Sequence, residues 1–250
     1  MHQYQKTGFI YLLCLILSSC AQSQQPVQEP VAKVEAADSI YTFGASTSAD
    51  GTGKFYLGRE IAQVMGHQGA GWLERSNREE EERTDLLIKA LELQPDDVVA
   101  DIGAGSGYFT FRMSPLVPQG KVLAVDIQPE MLDMIREKEA DQSIDNVRTI
   151  LGTIDNPKLP ADSVDWVLLV DAYHEFSHPY EMMSNIADAL SATGKVALVE
   201  YRAEDPSIQI KPKHKMTEAQ AVKEMEKVGL QLVENKEMLP QQHLMIFQKK

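Results

Sequence analysis

The chain has 250 residues, 43% of them hydrophobic, enough for one or two domains with a substantial core. Its formal net charge of −13 argues against a general nucleic-acid binder, which presents a basic face, so nucleic acid is not an expected partner. Both cysteines, Cys14 and Cys20, precede residue 21, and the rest of the chain therefore holds no disulfide, cysteine metal site or thiol nucleophile.

At the N-terminus, Lys6 precedes an apolar run from Gly8 to Leu17. About ten residues is the length of a signal-peptide core and is too short to cross a bilayer. The run ends in Leu17-Ser18-Ser19-Cys20, which resembles the lipobox of bacterial lipoproteins. That resemblance implies cleavage before Cys20 and acylation of that cysteine. With Ala21 rather than aspartate beside it, it also implies a lipid anchor in the outer membrane facing the periplasm. A plain secretory signal with a chance cysteine is the alternative. Residues 21 to about 52 are rich in Gln, Pro, Ala, Ser and Glu without periodicity, the composition of a tether. The expected organisation is a signal peptide over 1–19, the acylated cysteine and tether over 20–57, and a folded domain over 58–250.

Residues 58–75 suggest short helices broken by Gly66, Gly69 and Gly71. Asn77 is placed to cap a helix from Arg78 to Leu93, with acids in its first turn and Leu86, Leu87, Ala90, Leu91 and Leu93 as its buried stripe. An apolar strand, Val98-Val99-Ala100, then ends in Asp101. Gly103, Gly105 and Gly107 follow at alternate positions, and Tyr108 starts a helix. Strand, glycine turn and helix N-terminus form a nucleotide-binding arrangement. The dinucleotide fingerprint is not met, because Tyr108 stands where its third glycine belongs, and there is no P-loop lysine.

A second strand, Lys121 to Asp126, places a carboxylate 23 residues beyond Gly103 at its carboxyl end. There it can take both hydroxyls of a ribose. Pro129 opens a helix to Glu139, and a third strand runs from Asn146 to Leu151, followed by Gly152-Thr153-Ile154-Asp155. A fourth strand, residues 161–171, leads into Ala172-Tyr173-His174-Glu175-Phe176-Ser177-His178-Pro179, which topology places at the carboxyl edge beside the glycine loop. A helix from Pro179 to Leu190 and a fifth strand, residues 196–201, come next. In the loop 202–215, Lys211, Lys213, His214 and Lys215 form either a solvated edge or a grip on an anionic group. Thr217 caps a helix to Val228, and strands over 230–234 and 243–248 close the chain.

The apolar strand, acid and Gly-x-Gly-x-Gly resemble motif I of the class I S-adenosylmethionine (SAM) dependent methyltransferases. Asp126, the strand-four loop and the terminal hairpin extend the resemblance over about residues 58–250. It implies an α/β fold: a doubly wound, mostly parallel seven-stranded sheet with a C-terminal antiparallel hairpin. It implies SAM as cofactor and an enzyme that methylates a small-molecule or other acceptor, which the residues do not identify. Asp101 is expected to orient the loop or the methionine amino group. Gly103, Ala104, Gly105 and Gly107 are expected to line the methionine and ribose portion. Asp126 is to hold the ribose, Ile127 to stack on adenine, backbone groups at Thr153 and Ile154 to read adenine, and Asp171 and Ala172 to close the pocket. Asp155 falls two residues after the place where many members carry an adenine-binding acid. His67, Trp72 and Arg75 are candidates for a lid, with core packing or surface exposure as the alternative.

A base is needed if the acceptor's nucleophile carries a proton. His174 is the first candidate, with Glu175 orienting it and Tyr173 or His214 as alternatives. His174-Glu175-Phe176-Ser177-His178 also matches H-E-x-x-H, the zinc-peptidase string, which needs both histidines on one helix face. Pro179 disfavours helix at His178, so no metal ligand is expected there. A non-catalytic envelope protein that binds a small ligand on the same fold is the second reading, and a zinc hydrolase the third.

Overall fold

The computed structural model describes residues 40–250. The signal segment, Cys20 and the tether as far as residue 39 lie outside the described residues. Among the described residues no helix is long and apolar enough to cross a membrane.

The elements, in chain order, are strands β1 (Tyr41–Phe43), β2 (Gly51–Tyr56) and β3 (Arg59–Ala62), then helices α1 (Ala70–Leu73), α2 (Arg78–Glu82) and α3 (Thr84–Ala90). These are followed by β4 (Val98–Ile102), α4 (Thr110–Met113), β5 (Lys121–Asp126), α5 (Pro129–Gln142), β6 (Val147–Leu151) and β7 (Val164–Val170). The remainder is α6 (Pro179–Ala189), β8 (Leu190–Tyr201), α7 (Glu218–Glu226), β9 (Leu230–Asn235) and β10 (Gln242–Lys249).

Strands β4 to β10 form one seven-stranded sheet in the order β6-β5-β4-β7-β8-β10-β9. Strands β4 to β8 pair in parallel, and β10 is antiparallel to both β8 and β9. This is the expected doubly wound sheet with its terminal hairpin. Strand residues alternate between two buried layers, because successive side chains point to opposite faces. Val167 and Leu169 of β7, with Val196 and Leu198 of β8, pack with Met183 and Ile186 of α6 and Met225 of α7. Leu168, Ala197 and Val199 face the other way, with Leu87 of α3, Met113 of α4 and Leu132 and Ile135 of α5. Covering on both faces explains why the parallel strands read as unbroken apolar runs. The order reverses between β4 and β7, and the crevice at their carboxyl ends is where open α/β sheets bind ligands.

Four expectations are corrected. The tether was expected to reach residue 57, but β1 and β2 are strands, and β3 lies where a helix was expected. Together they form an antiparallel three-stranded sheet. Tyr41, Tyr56 and Ile61 are its buried core, packed against Tyr180 of α6. Lys54 Nζ donates to the Ser177 carbonyl at 2.6 Å, and Arg59 forms a two-pronged pair with Glu224 of α7, both bonds 2.8 Å. Contacts this far apart in sequence hold these strands. The helix expected over 78–93 is broken at Arg83, which takes φ +53° between α2 and α3. Asn77 does not cap it; its amide donates to Glu81 at 2.6 Å. Thr217 does cap α7, accepting the Gln220 N–H at 3.1 Å.

Candidate functional site

The glycine loop folds back over the end of β5, with the N–H groups of Gly103 and Ala104 both donating to the Val125 carbonyl at 2.8 and 3.0 Å. Gly103 and Gly105 have φ of +73° and +54°, the left-handed region that glycine enters without strain. Each is also closely packed: a Cβ on Gly103 would lie 2.9 Å from Cβ of Ala172, and one on Gly105 2.5 Å from Cδ1 of Leu73. The loop is thus held between the strand-four turn and α1.

A cavity of about 520 Å³ opens at this crevice, with Gly103, Gly105, Asp126, Ile127, Thr153, Ile154, Asp171, Ala172, His174 and Glu175 among its lining residues. Asp126 receives the Gly105 N–H on Oδ2 and the Gln128 N–H on Oδ1, both at 2.9 Å. Each oxygen keeps a further lone pair for a ligand hydroxyl. Burial raises its carboxyl above the ordinary value. Ile127 and Ile154 are partly exposed apolar walls beside it.

Asp171 is the most unusual lining residue. Its φ is +50°, uncommon for a non-glycine residue and of the kind that clusters at functional sites. Oδ2 accepts from Gln242 at 2.8 Å, while Oδ1 is buried without a hydrogen-bond partner. Burial, then the nearby Glu82 and Glu200, pushes its carboxyl well above the ordinary value.

On the same wall, His174 is 2% exposed. Its Nδ1 lies 2.6 Å from Glu200 Oε2, and its backbone N–H donates to Glu200 Oε1 at 3.2 Å. Nε2 lies 3.0 Å from Nδ1 of His214, which the loop between β8 and α7 brings to the cavity. Glu175 accepts no orienting bond from His174: Oε1 is 3.8 Å from Nε2, and Oε2 accepts the Met65 N–H at 3.0 Å. Glu200, not Glu175, therefore orients the histidine. Its only trace in the sequence is an acid inside the apolar run Val196 to Tyr201.

Other expected site residues sit elsewhere. Asp101 accepts the Thr110 hydroxyl at 2.6 Å and braces the start of α4 without lining the main cavity. Ala104 is buried behind the loop, beside Tyr108 and Phe109 in a smaller crevice. Gly107 faces Phe111 and Ile135, so its missing side chain makes room for packing. Tyr173 is fully buried off the cavity, its hydroxyl donating to Glu224 at 2.7 Å, and burial holds that phenol in its neutral form far above its ordinary value. It is a structural residue and not a base. Asp155 accepts the Thr153 hydroxyl at 2.6 Å on the exposed side of its turn.

Of the lid candidates, Trp72 lines the cavity, Arg75 stacks on its ring at 3.9 Å, and His67 lies outside near Glu130. Gln128 fastens this segment, donating to the Met65 carbonyl at 3.0 Å and accepting the His67 N–H at 2.7 Å. Sequence reasoning missed it. The lysines of the 202–215 loop already have partners: Lys211 with Asp50 and Lys213 with Glu60, each at 2.6 Å, and Lys215 with the carbonyls of Asp205 and Ile208. The H-E-x-x-H string does not converge. His174 and Glu175 lie on a 3₁₀ turn, whereas His178 precedes α6 with its ring nitrogen 3.0 Å from the Ser177 hydroxyl.

Residues 99–194 match the family described as a methyltransferase domain. The chain is 33% identical over 122 residues to the uncharacterized methyltransferase YcgJ of Bacillus subtilis, covering 48% of this chain and 47% of that protein. It is also 33% identical over 122 residues to an uncharacterized methyltransferase-like protein of Schizosaccharomyces pombe, covering 49% and 45%. The chain thus spans about half the length of the curated relatives it matches. Among solved structures, a SAM dependent methyltransferase from Aquifex aeolicus shares the fold with a TM-score of 0.69 at 21% identity, over 74% of this chain and 98% of that one. The crystal structure of the Bacillus YcgJ protein aligns at 0.52 and 26%, over 61% and 70%. The seven-stranded sheet thus has the fold of the Aquifex SAM dependent methyltransferase, and its segment from β4 into β8 is the part similar to the methyltransferase-domain family.

Proposed function

We propose that the chain binds S-adenosylmethionine in this cavity and transfers its methyl group to an acceptor seated beside His174. The observation that carries this reading is the pair of carboxyls, Asp126 and Asp171, lining one cavity with the glycine loop, Asp171 keeping one buried oxygen without a partner. A cationic amino group and a ribose diol are the two polar ends of the cofactor, and these two carboxylates suit them. The apolar walls at Ile127 and Ile154 suit an adenine ring between flanking aliphatic groups. When bound, S-adenosylmethionine supplies a methyl group already activated by its sulfonium, so the protein's part is alignment and handling of a proton.

His174 is built for that second task. Glu200 is an acceptor when ionised, so Nδ1 of His174 carries the hydrogen and Nε2 the lone pair. Nε2 faces the cavity side, where it accepts the His214 N–H until an acceptor's hydroxyl, amine or thiol displaces it. Glu200 then stabilises the imidazolium that forms, and His214 offers a second site for the proton. Apolar lining from Val64, Met65, Phe176 and Ile210 favours an acceptor with a hydrophobic body.

Calorimetric titration of SAM and S-adenosylhomocysteine into the full chain tests the reading. Saturable binding is expected, abolished in Asp126→Ala and weakened about 10–100-fold in Asp171→Asn, the loss of one charge-assisted hydrogen bond. Absence of binding, or equal binding by the variants, would overturn it.

A further inference from the structure

Glu175 carries an oxygen that the methyl-transfer reading leaves without a task. Its Oε1 lies 3.4 Å from Nδ1 of His214 and 3.8 Å from Nε2 of His174, close to both nitrogens and within good hydrogen-bond distance of neither. The two nitrogens are themselves 3.0 Å apart. The circle through these three atoms has a radius of about 2.0 Å, so one point stands about 2.0 Å from every donor, the length of zinc–nitrogen and zinc–carboxylate bonds. His174, Glu175 and His214 are the cluster of potential metal ligands found among the described residues.

We infer that these three side chains bind a divalent transition-metal ion such as zinc. The donor set of two imidazoles and one carboxylate suits zinc, cobalt or nickel rather than magnesium or calcium. Three protein ligands leave a fourth position open, the pattern of catalytic rather than structural sites. The surrounding bonds are those that fix ligands. Glu200 holds Nδ1 of His174 at 2.6 Å, which keeps Nε2 unprotonated, and the Met65 N–H holds the other oxygen of Glu175 at 3.0 Å. His214 needs only to move its ring hydrogen from Nδ1 to Nε2. The site is not the H-E-x-x-H arrangement, because its second histidine comes from position 214 and His178 takes no part.

Resting on the methyl-transfer reading, the ion also selects the acceptor class. A hydroxyl or thiol coordinating at the open position loses its proton to solvent and becomes the nucleophile, as metal-bound water does. With the ion bound, Nε2 of His174 is a ligand, so the ion takes over the activation that the metal-free site assigns to this histidine as base, and acceptors with such a donor atom are preferred.

Cobalt(II) titrated into the untagged, metal-free full chain and followed by visible absorption is the test. One equivalent is expected to produce the intense bands of a four- or five-coordinate site. His214→Ala and Glu175→Gln should each weaken binding by about 100-fold or more, and Glu200→Gln by about 10–100-fold as an outer-shell partner. His214→Cys should restore binding with a thiolate-to-cobalt band, which a merely misfolded protein would not show. Failure of cobalt to bind, unchanged affinity in His214→Ala, or no recovery in His214→Cys would overturn the site. SAM calorimetry on the same metal-free protein reports separately on the methyl-transfer reading.

Discussion

Asp101 and Asp126 end adjacent parallel strands, yet the structure gives them different work. Asp126 faces the cavity. Asp101 is enclosed beneath the loop, where burial pushes its carboxyl up to about 6 despite the Thr110 hydrogen bond. Between about pH 4 and 6 the folded protein holds a proton here that the unfolded chain has released. Stability from this group therefore falls as pH rises through that window and is level above it, by on the order of 3 kcal/mol. Asp101→Asn keeps an acceptor for Thr110 and has no such titration. Urea unfolding at pH 4.5 and 7.5 should show the variant gaining on the parent protein at the higher pH; a difference independent of pH would contradict this. Asp101 and Asp126 were legible in the sequence as acids at the ends of apolar strands, and His174 as a histidine in the turn that follows one. Their tasks were less so. Tyr173 has the same sequence neighbourhood as His174 but points away, and Glu200 orients His174 from another strand.

The sheet of seven strands was readable element by element, since parallel strands covered on both faces are continuous apolar runs. The three N-terminal strands were not. The buried positions of β2 are Gly51, Gly53 and Tyr56, two of them glycines, so no hydrophobic alternation marks them. Glu60 of β3 is buried through its pair with Lys213, 153 residues later in the chain. What holds this sheet in place is chiefly Arg59, whose guanidinium takes both oxygens of Glu224 and donates to the His174 carbonyl at 3.1 Å. Removing one partner of a buried ion pair leaves the other charge uncompensated, a cost of about 3–5 kcal/mol. Arg59→Ala should lose about that much in urea unfolding, and Arg59→Ala with Glu224→Gln should lose less. A loss below about 1 kcal/mol, as at exposed pairs, would contradict the role given to this contact.

At the scale of the whole molecule, the cavity is made of two halves with different origins in the chain. The half suited to the cofactor, from Gly103 to Asp171, lies within the residues matched to the methyltransferase family. Val64, Met65, Trp72, Ile210 and His214, which complete the lining, come from segments on either side of that match. If the chain methylates an acceptor as proposed, its choice is expected to depend on the segment after β3, the α1 segment and the 203–216 loop, about which the glycine motif carries no information. A crystal structure of the full chain with S-adenosylhomocysteine would decide whether this cavity holds the cofactor. The expected result is the ribose diol on Asp126, adenine between Ile127 and Ile154, and the amino group on Asp171, with His174 and His214 facing the sulfur side across open space. Ligand bound elsewhere, or an Asp171 carboxyl that takes no part in holding it, would overturn the proposed cofactor site.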